Sequence, residues 1–149
     1  MICFIISSLR TGGAERVLCD LANRTPRCSI ITLMPSDEPP SYPLQSHVQL
    51  FRLGDHLTTP FSKSSPWQII KALYRIRKTI KYLKPKLVVS FLDRINILTL
   101  LLTRGLTVPV VVSERIDPHF HDIGKVWIYL RKLTYPWAKT IVCQTQSAA

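Results

Sequence analysis

A chain of 149 residues with a net charge of +11 has room for one domain with a real core and favours acidic partners. Its hydrophobic fraction of 46% and charged fraction of 19% exclude a disordered polymer. Charge by itself does not choose among an anionic membrane surface, a nucleic acid and a phosphorylated small molecule.

The apolar start, residues 2–6, is too short for a signal-peptide core and follows no charged segment. Residues 2–7 therefore read as a strand, followed by Gly12-Gly13-Ala14-Glu15-Arg16 at the start of a helix over 14–24. A glycine turn there leaves backbone N–H groups at the helix start unpaired, with roughly half a positive charge to offer a phosphate. Glycine lets a phosphate or sugar approach the main chain with no Cβ in the way. The turn is neither the dinucleotide fingerprint nor a P-loop, since no Gly-Lys-Ser/Thr follows. Glu15 also fits a simple helix-dipole role, and Arg16 a surface or ion-pair role.

Strands are expected at 28–34 and 48–53, with residues 35–43 as a proline-rich surface excursion between them. Residues 55–66 form a second polar connector, and Ser65-Pro66 opens a helix over 67–83. Ile69, Leu73, Ile76, Ile80 and Leu83 give that helix an apolar stripe for the sheet. Lys71, Arg75, Arg77, Lys78, Lys81, Lys84 and Lys86 supply the rest, with no acid between Asp55 and Asp93. A solvated face normally mixes signs, so Lys71, Arg75, Lys78 and Lys81 suggest contact with an anionic membrane surface. An ordinary basic solvent face would carry the same residues. Nucleic acid ranks behind both, since no zinc, RNP or helix-turn-helix pattern accompanies the charge.

Strands at 87–91, 108–113 and 140–144 alternate with helices at 95–104 and 125–137. Residues 87–112 are apolar enough to suggest a membrane span, but Asp93, Arg94, Arg104 and Pro109 interrupt them. Runs such as Val110-Val111-Val112 read as strands covered on both faces, hence a parallel sheet. The whole of 1–149 is then one doubly wound, Rossmann-like α/β domain, without repeat or linker. Trp127, Tyr135 and Trp137 read as core, and Cys3, Cys19, Cys28 and Cys143 as reduced thiols of a cytosolic protein.

In such sheets ligands bind beyond the carboxyl ends of the strands, where the strand order reverses. An order 3-2-1-4-5-6 puts the glycine turn beside Asp93 and Arg94, with Asn96 following. Next to them come Ser113, Glu114, Arg115 and Asp117, and then Gln144-Thr145-Gln146. Arg94 or Arg115 suits phosphate oxygens, and Glu114 or Asp93 suits sugar hydroxyls or a proton. Glu114 and Arg115 also fit a mutual ion pair. His119 and His121 read as surface residues, and the four histidines lack metal-ligand spacing.

ISSLRTGGAERV, VVSFLDRINILTLLLTRG, VPVVVSERIDP, the helix from Trp127 to Tyr135, and IVCQT follow one another in this order. Together they resemble the N-terminal domain of glycosyltransferase family 4, retaining enzymes of GT-B fold, over essentially the whole chain. The resemblance implies a cleft between facing Rossmann-like domains, with the N-terminal domain holding a lipid-linked or polysaccharide acceptor at the cytoplasmic membrane face. Gly12 and Gly13 would lie against the donor diphosphate. Glu114 and Arg115 would act at the reacting centre, with Ser113, Asp117, Asp93, Arg94 and Asn96 as cleft contacts. The nucleotide sugar is a substrate, and neither cofactor nor metal is expected. Ile116 stands where similar sequences often carry Asn, and Asp93 where Thr is common. The chain stops at Ala149, so the donor domain of such an enzyme is expected to be missing and the fragment inactive alone. A non-catalytic saccharide- or phosphate-binding module is the alternative, ahead of a nucleic-acid-binding protein.

Overall fold

The structure, a computed structural model, describes residues 1–33, 39–54, 66–114 and 124–143, apart from the side chains of Pro66 and Ile69. The 55–65 connector, Arg115, Asp117, His119, His121 and residues 144–146 lie outside the described residues.

Six strands make one sheet: β1 (Ile2–Ile6), β2 (Cys28–Thr32), β3 (Gln49–Arg52), β4 (Leu87–Phe91), β5 (Val110–Ser113) and β6 (Thr140–Val142). All neighbouring pairs are parallel and the order is β3-β2-β1-β4-β5-β6. The helices are α1 (Gly13–Asn23), α2 (Pro66–Leu83), α3 (Asp93–Thr103) and α4 (Lys125–Thr134), the last continued by a 3-10 turn at Tyr135–Trp137. This is the doubly wound, Rossmann-like arrangement expected from the alternation of elements.

The inner strands are buried on both faces because consecutive strand residues serve opposite sides of the sheet, whereas β3 is only partly covered and β6 is exposed. In β1, Cys3 and Ile5 join a cluster with Ile76 and Ile80 of α2 and Ile95 and Leu100 of α3. Phe4 and Ile6 point the other way, into a cluster with Ala14, Leu18, Cys19 and Ala22 of α1. Burial holds the Cys3 and Cys19 thiols up at about 11, so they stay protonated, and all four cysteines are free.

Local chemistry moves several expected boundaries. The strand expected from residue 108 begins only at Val110, because Pro109 has no N–H; its carbonyl still accepts from Val88 N–H at 3.0 Å. The helix expected to run through Trp137 tightens into a 3-10 turn at Tyr135-Pro136-Trp137, where proline again removes a donor. α3 starts two residues ahead of the expected Ile95, because Leu92 adopts a left-handed conformation (φ 76°) and turns the chain directly off β4. The described part of the expected surface excursion, residues 39–43, does run over the surface, and it is pinned there by Tyr42 and by Leu44 just beyond it. Tyr42 and Leu44 lie against the α1-side cluster, and Ser41 N–H bonds the Leu9 carbonyl at 2.9 Å.

Candidate functional site

The chain runs from β1 outwards to β3, then returns to β4 and runs outwards to β6, so the strand order reverses between β1 and β4. Ile5 pairs with Ser90 across that junction. The segments that follow these strands therefore leave neighbouring positions on one edge, with the β5 tip next in line.

On the β1 side, Gly12 caps α1 and no side chain bonds into the cap. Its carbonyl accepts from Arg16 N–H at 3.1 Å, so the N–H groups of Gly13, Ala14 and Glu15 precede the first intrahelical bond. Gly12 is extended (φ 179°), a conformation open to any residue. The constraint there is space, since a Cβ would fall on the Glu15 carboxylate, which folds back over the helix start. A Cβ on Gly13 would meet nothing within 4 Å, and Gly13 is exposed. The approach to the helix start is thus open at Gly13 and flanked by Glu15.

On the β4 side, Leu92 carries the strained backbone of the β4–α3 junction, where a bulky residue with positive φ costs about 1–3 kcal/mol. Ser113 supports it by accepting Leu92 N–H at 3.3 Å. Asp93 opens α3 nearly buried, and its Oδ1 accepts the Arg94 N–H at 2.6 Å. The Arg94 guanidinium lies over the Trp127 ring, 5.5 Å from its centre. Asn96 is fully buried. Its Oδ1 accepts from Ser90 Oγ at 2.8 Å, and its Nδ2 donates to the Ser113 carbonyl at 3.1 Å and to Tyr135 Oη at 3.4 Å.

Glu114 continues the β5 tip, with its N–H bonded to the Val142 carbonyl at 2.8 Å, and only 2% of it is exposed. Tyr135 donates its phenol hydrogen to Glu114 Oε2, and Arg131 Nη2 stands 3.2 Å from the same oxygen. Burial pushes the Glu114 carboxyl above its ordinary range, and Asp93 adds to this, while Tyr135 and Arg131 oppose it. Burial and the adjoining carboxylate push the Tyr135 phenol up, so it remains a donor. Glu114 Oε1 and Ser113 Oγ are buried without a hydrogen-bond partner among the described residues.

The structure thus joins Asp93, Arg94, Asn96, Ser113 and Glu114 in one connected group at the tips of β4 and β5, beside the switch from Gly12 and Gly13. It makes Asn96 and Glu114 buried members of a hydrogen-bonded network. Tyr135 and Arg131, which the sequence does not mark as site residues, are the hub. Their only signal was the four-residue spacing from Trp127. A cavity of about 380 Å³ between Lys81, Lys84, Pro85 and Leu106 lies at the opposite, amino-terminal end of the sheet, away from this chemistry.

On α2, Lys71, Lys78 and Lys81 are exposed, but Arg75 is half-buried and donates to the Leu53 carbonyl at 3.2 Å. Arg77 likewise binds the carbonyls of Leu102 and Arg104. Trp67 (78% exposed), Tyr74 (67%) and Tyr82 (82%) share the lysine face, with Ile70. Spacings of three and four residues from 67 to 82 keep them on one side of the helix. No described helix is long and apolar enough to cross a membrane.

Fold and site define the chain as a Rossmann-like α/β unit with its polar groups gathered at the strand-order switch. No protein-family model matches it. The chain is 31% identical over 144 residues to a Campylobacter jejuni enzyme, GalNAc-alpha-(1->4)-GalNAc-alpha-(1->3)-diNAcBac-PP-undecaprenol alpha-1,4-N-acetyl-D-galactosaminyltransferase. The alignment takes in 94% of this chain and 39% of that enzyme, so the chain spans about two-fifths of the relative's length. Among solved structures it superposes on Anabaena Alr3699/HepE in complex with UDP (TM-score 0.68, 17% identity, 99% of this chain and 38% of that one). UDP-N-acetylglucosamine 2-epimerase from Rickettsia bellii also superposes (TM-score 0.66, 13% identity, 99% and 39%). At these identities the structural likeness speaks to the fold alone.

Proposed function

We propose that residues 1–149 form the acceptor-side, N-terminal half of a retaining glycosyltransferase of GT-B fold. It moves an N-acetylhexosamine or hexose from a nucleotide sugar to a lipid-linked glycan. The observation that carries this reading is the 31% identity with a transferase acting on an undecaprenol-diphosphate glycan, over 94% of the chain. The open approach to α1 at Gly13 supports it, because a leaving diphosphate needs such a cradle. Arg94, at the start of α3 beside the switch, supplies further positive charge. In this reading the acceptor hydroxyl attacks the anomeric carbon, and the diphosphate departs toward the helix start without a divalent metal.

The test supplies UDP-N-acetylgalactosamine, UDP-N-acetylglucosamine and other nucleotide sugars, with polyprenyl-diphosphate glycans, to a protein that joins residues 1–149 to a donor-side domain. Sugar incorporation that survives EDTA is the expected result, and none is expected from residues 1–149 alone. Saccharide binding with no transfer in any form of the protein would favour the binding-module reading instead.

The α2 face supports peripheral attachment to an anionic membrane, at the cytoplasmic face if the acceptor is presented there. Aromatic rings beside lysines suit the headgroup boundary. Each lysine contributes about 1 kcal/mol near such a surface, so K71Q/K78Q/K81Q is expected to weaken binding by roughly 100-fold. Co-sedimentation with phosphatidylglycerol-containing and pure phosphatidylcholine vesicles measures this. An oligonucleotide bound as tightly as the anionic vesicles would overturn the membrane assignment in favour of nucleic acid.

A further inference from the structure

We infer that Trp127, Arg131 and Tyr135 form a brace that positions Arg94, Glu114 and Asn96; the inference rests on the transferase reading above. The three residues recur every fourth position, which lines them along one side of α4 and the turn that continues it. Two of them converge on Glu114 and the third on Arg94. The Trp127 ring lies beneath the Arg94 guanidinium at 5.5 Å. Arg131 holds Glu114 Oε2 at 3.2 Å while its own guanidinium packs over the Tyr135 ring at 5.0 Å. The Tyr135 hydroxyl closes the chain, donating to Glu114 Oε2 and accepting from Asn96 Nδ2 at 3.4 Å.

Tyr135 also packs against the apolar cluster on the α2 and α3 side, but no residue of α4 itself joins that cluster. Val126, Ile128, Tyr129 and Leu133 are exposed, and Thr134 is the helix's one fully buried residue. Polar and stacking contacts therefore tie the inner side of the helix to the β4 and β5 tips. They use one Glu114 oxygen and leave the other, with Ser113 Oγ, buried and without a partner among the described residues. That spare acceptor is the group the brace would present to the reaction. Trp127, Arg131 and Tyr135 are accordingly positioning residues rather than catalytic ones.

Among the described residues, the groups facing Glu114 are Arg131 and Tyr135 from α4 and its turn, and Asp93 from α3. The first two favour the carboxylate and Asp93 opposes it. Loss of Arg131 or of the Tyr135 hydroxyl must therefore raise the pH at which Glu114 ionises. In the complete transferase, Y135F and R131Q are expected to lower kcat roughly tenfold with KM for the nucleotide sugar little changed. Both should move the acidic limb of the pH–rate profile upward. R131K, which keeps the charge, restores the limb; W127A is expected to lower kcat as Y135F does, and W127F to restore it.

Variants that merely melt earlier, with kcat and pH profile intact well below melting, overturn the brace. A parent protein silent towards every donor sinks the transferase reading alone. In that event, carbon-13 titration of the Glu114 carboxyl in the 149-residue chain decides: an upward move in Y135F and R131Q supports the brace, and an unmoved titration overturns it.

Discussion

Gly13→Trp is expected to leave the domain folded and to lower transfer by the complete enzyme about 1000-fold. Position 13 is exposed, and a Cβ there meets nothing within 4 Å, so an indole has room to stand away from the core. Gly13 also lies outside the positive-φ region, so the backbone accepts a side chain without strain. Removing a glycine from a helix restricts the unfolded chain, so stability should hold or rise by about 0.5 kcal/mol. The space an indole occupies is the approach to the first N–H groups of α1. Gly13→Ala adds one carbon to the same opening and should cost far less. Product formation reports the first quantity and thermal unfolding the second. Full turnover by the Gly13→Trp enzyme would remove the diphosphate from this end of the sheet.

Asn96→Leu should produce the opposite pattern, a loss of stability that is independent of any substrate. The side chains are of similar size, so packing changes little. Ser90 Oγ, however, loses its acceptor inside the core, and Tyr135 loses the donor that orients it. A buried polar group left unmatched, within a network, costs about 3 kcal/mol. In a domain of this size that lowers the melting temperature by roughly 10 °C. Urea midpoints of the two proteins measure it directly. An unchanged midpoint would mean that Asn96 serves the cleft and not the framework.

The contrast between these positions shows what was legible in the sequence. Strand order and the glycine turn could be read because they rest on local signals: continuous apolar runs, helical spacing and a glycine pair directly ahead of a helical pattern. The Asn96–Tyr135–Glu114 network could not, because its partners lie 39 and 21 residues apart and meet only once the sheet forms. Tyr135 reads as core, and it does pack against the cluster on the α2 and α3 side; what has no local signal is the use of its hydroxyl in the network. On α2 the charges drew the eye to Arg75, whose guanidinium instead satisfies the Leu53 carbonyl. The exposure of the Trp67, Tyr74 and Tyr82 rings has no signal in the sequence, because aromatic residues usually mark burial. Leu92 carried no signal at all, since a strained leucine resembles any other.

The thiols held protonated inside the sheet have a practical corollary. Cys3, Cys19 and Cys28 are sealed in apolar surroundings that suppress the nucleophilic form, whereas Cys143 is partly accessible just past the last strand. A maleimide dye added to the folded protein therefore has a single address, one residue beyond the carbonyl that anchors Glu114. The molecule comes with its own attachment point for an optical reporter, placed beside the Glu114–Tyr135 network.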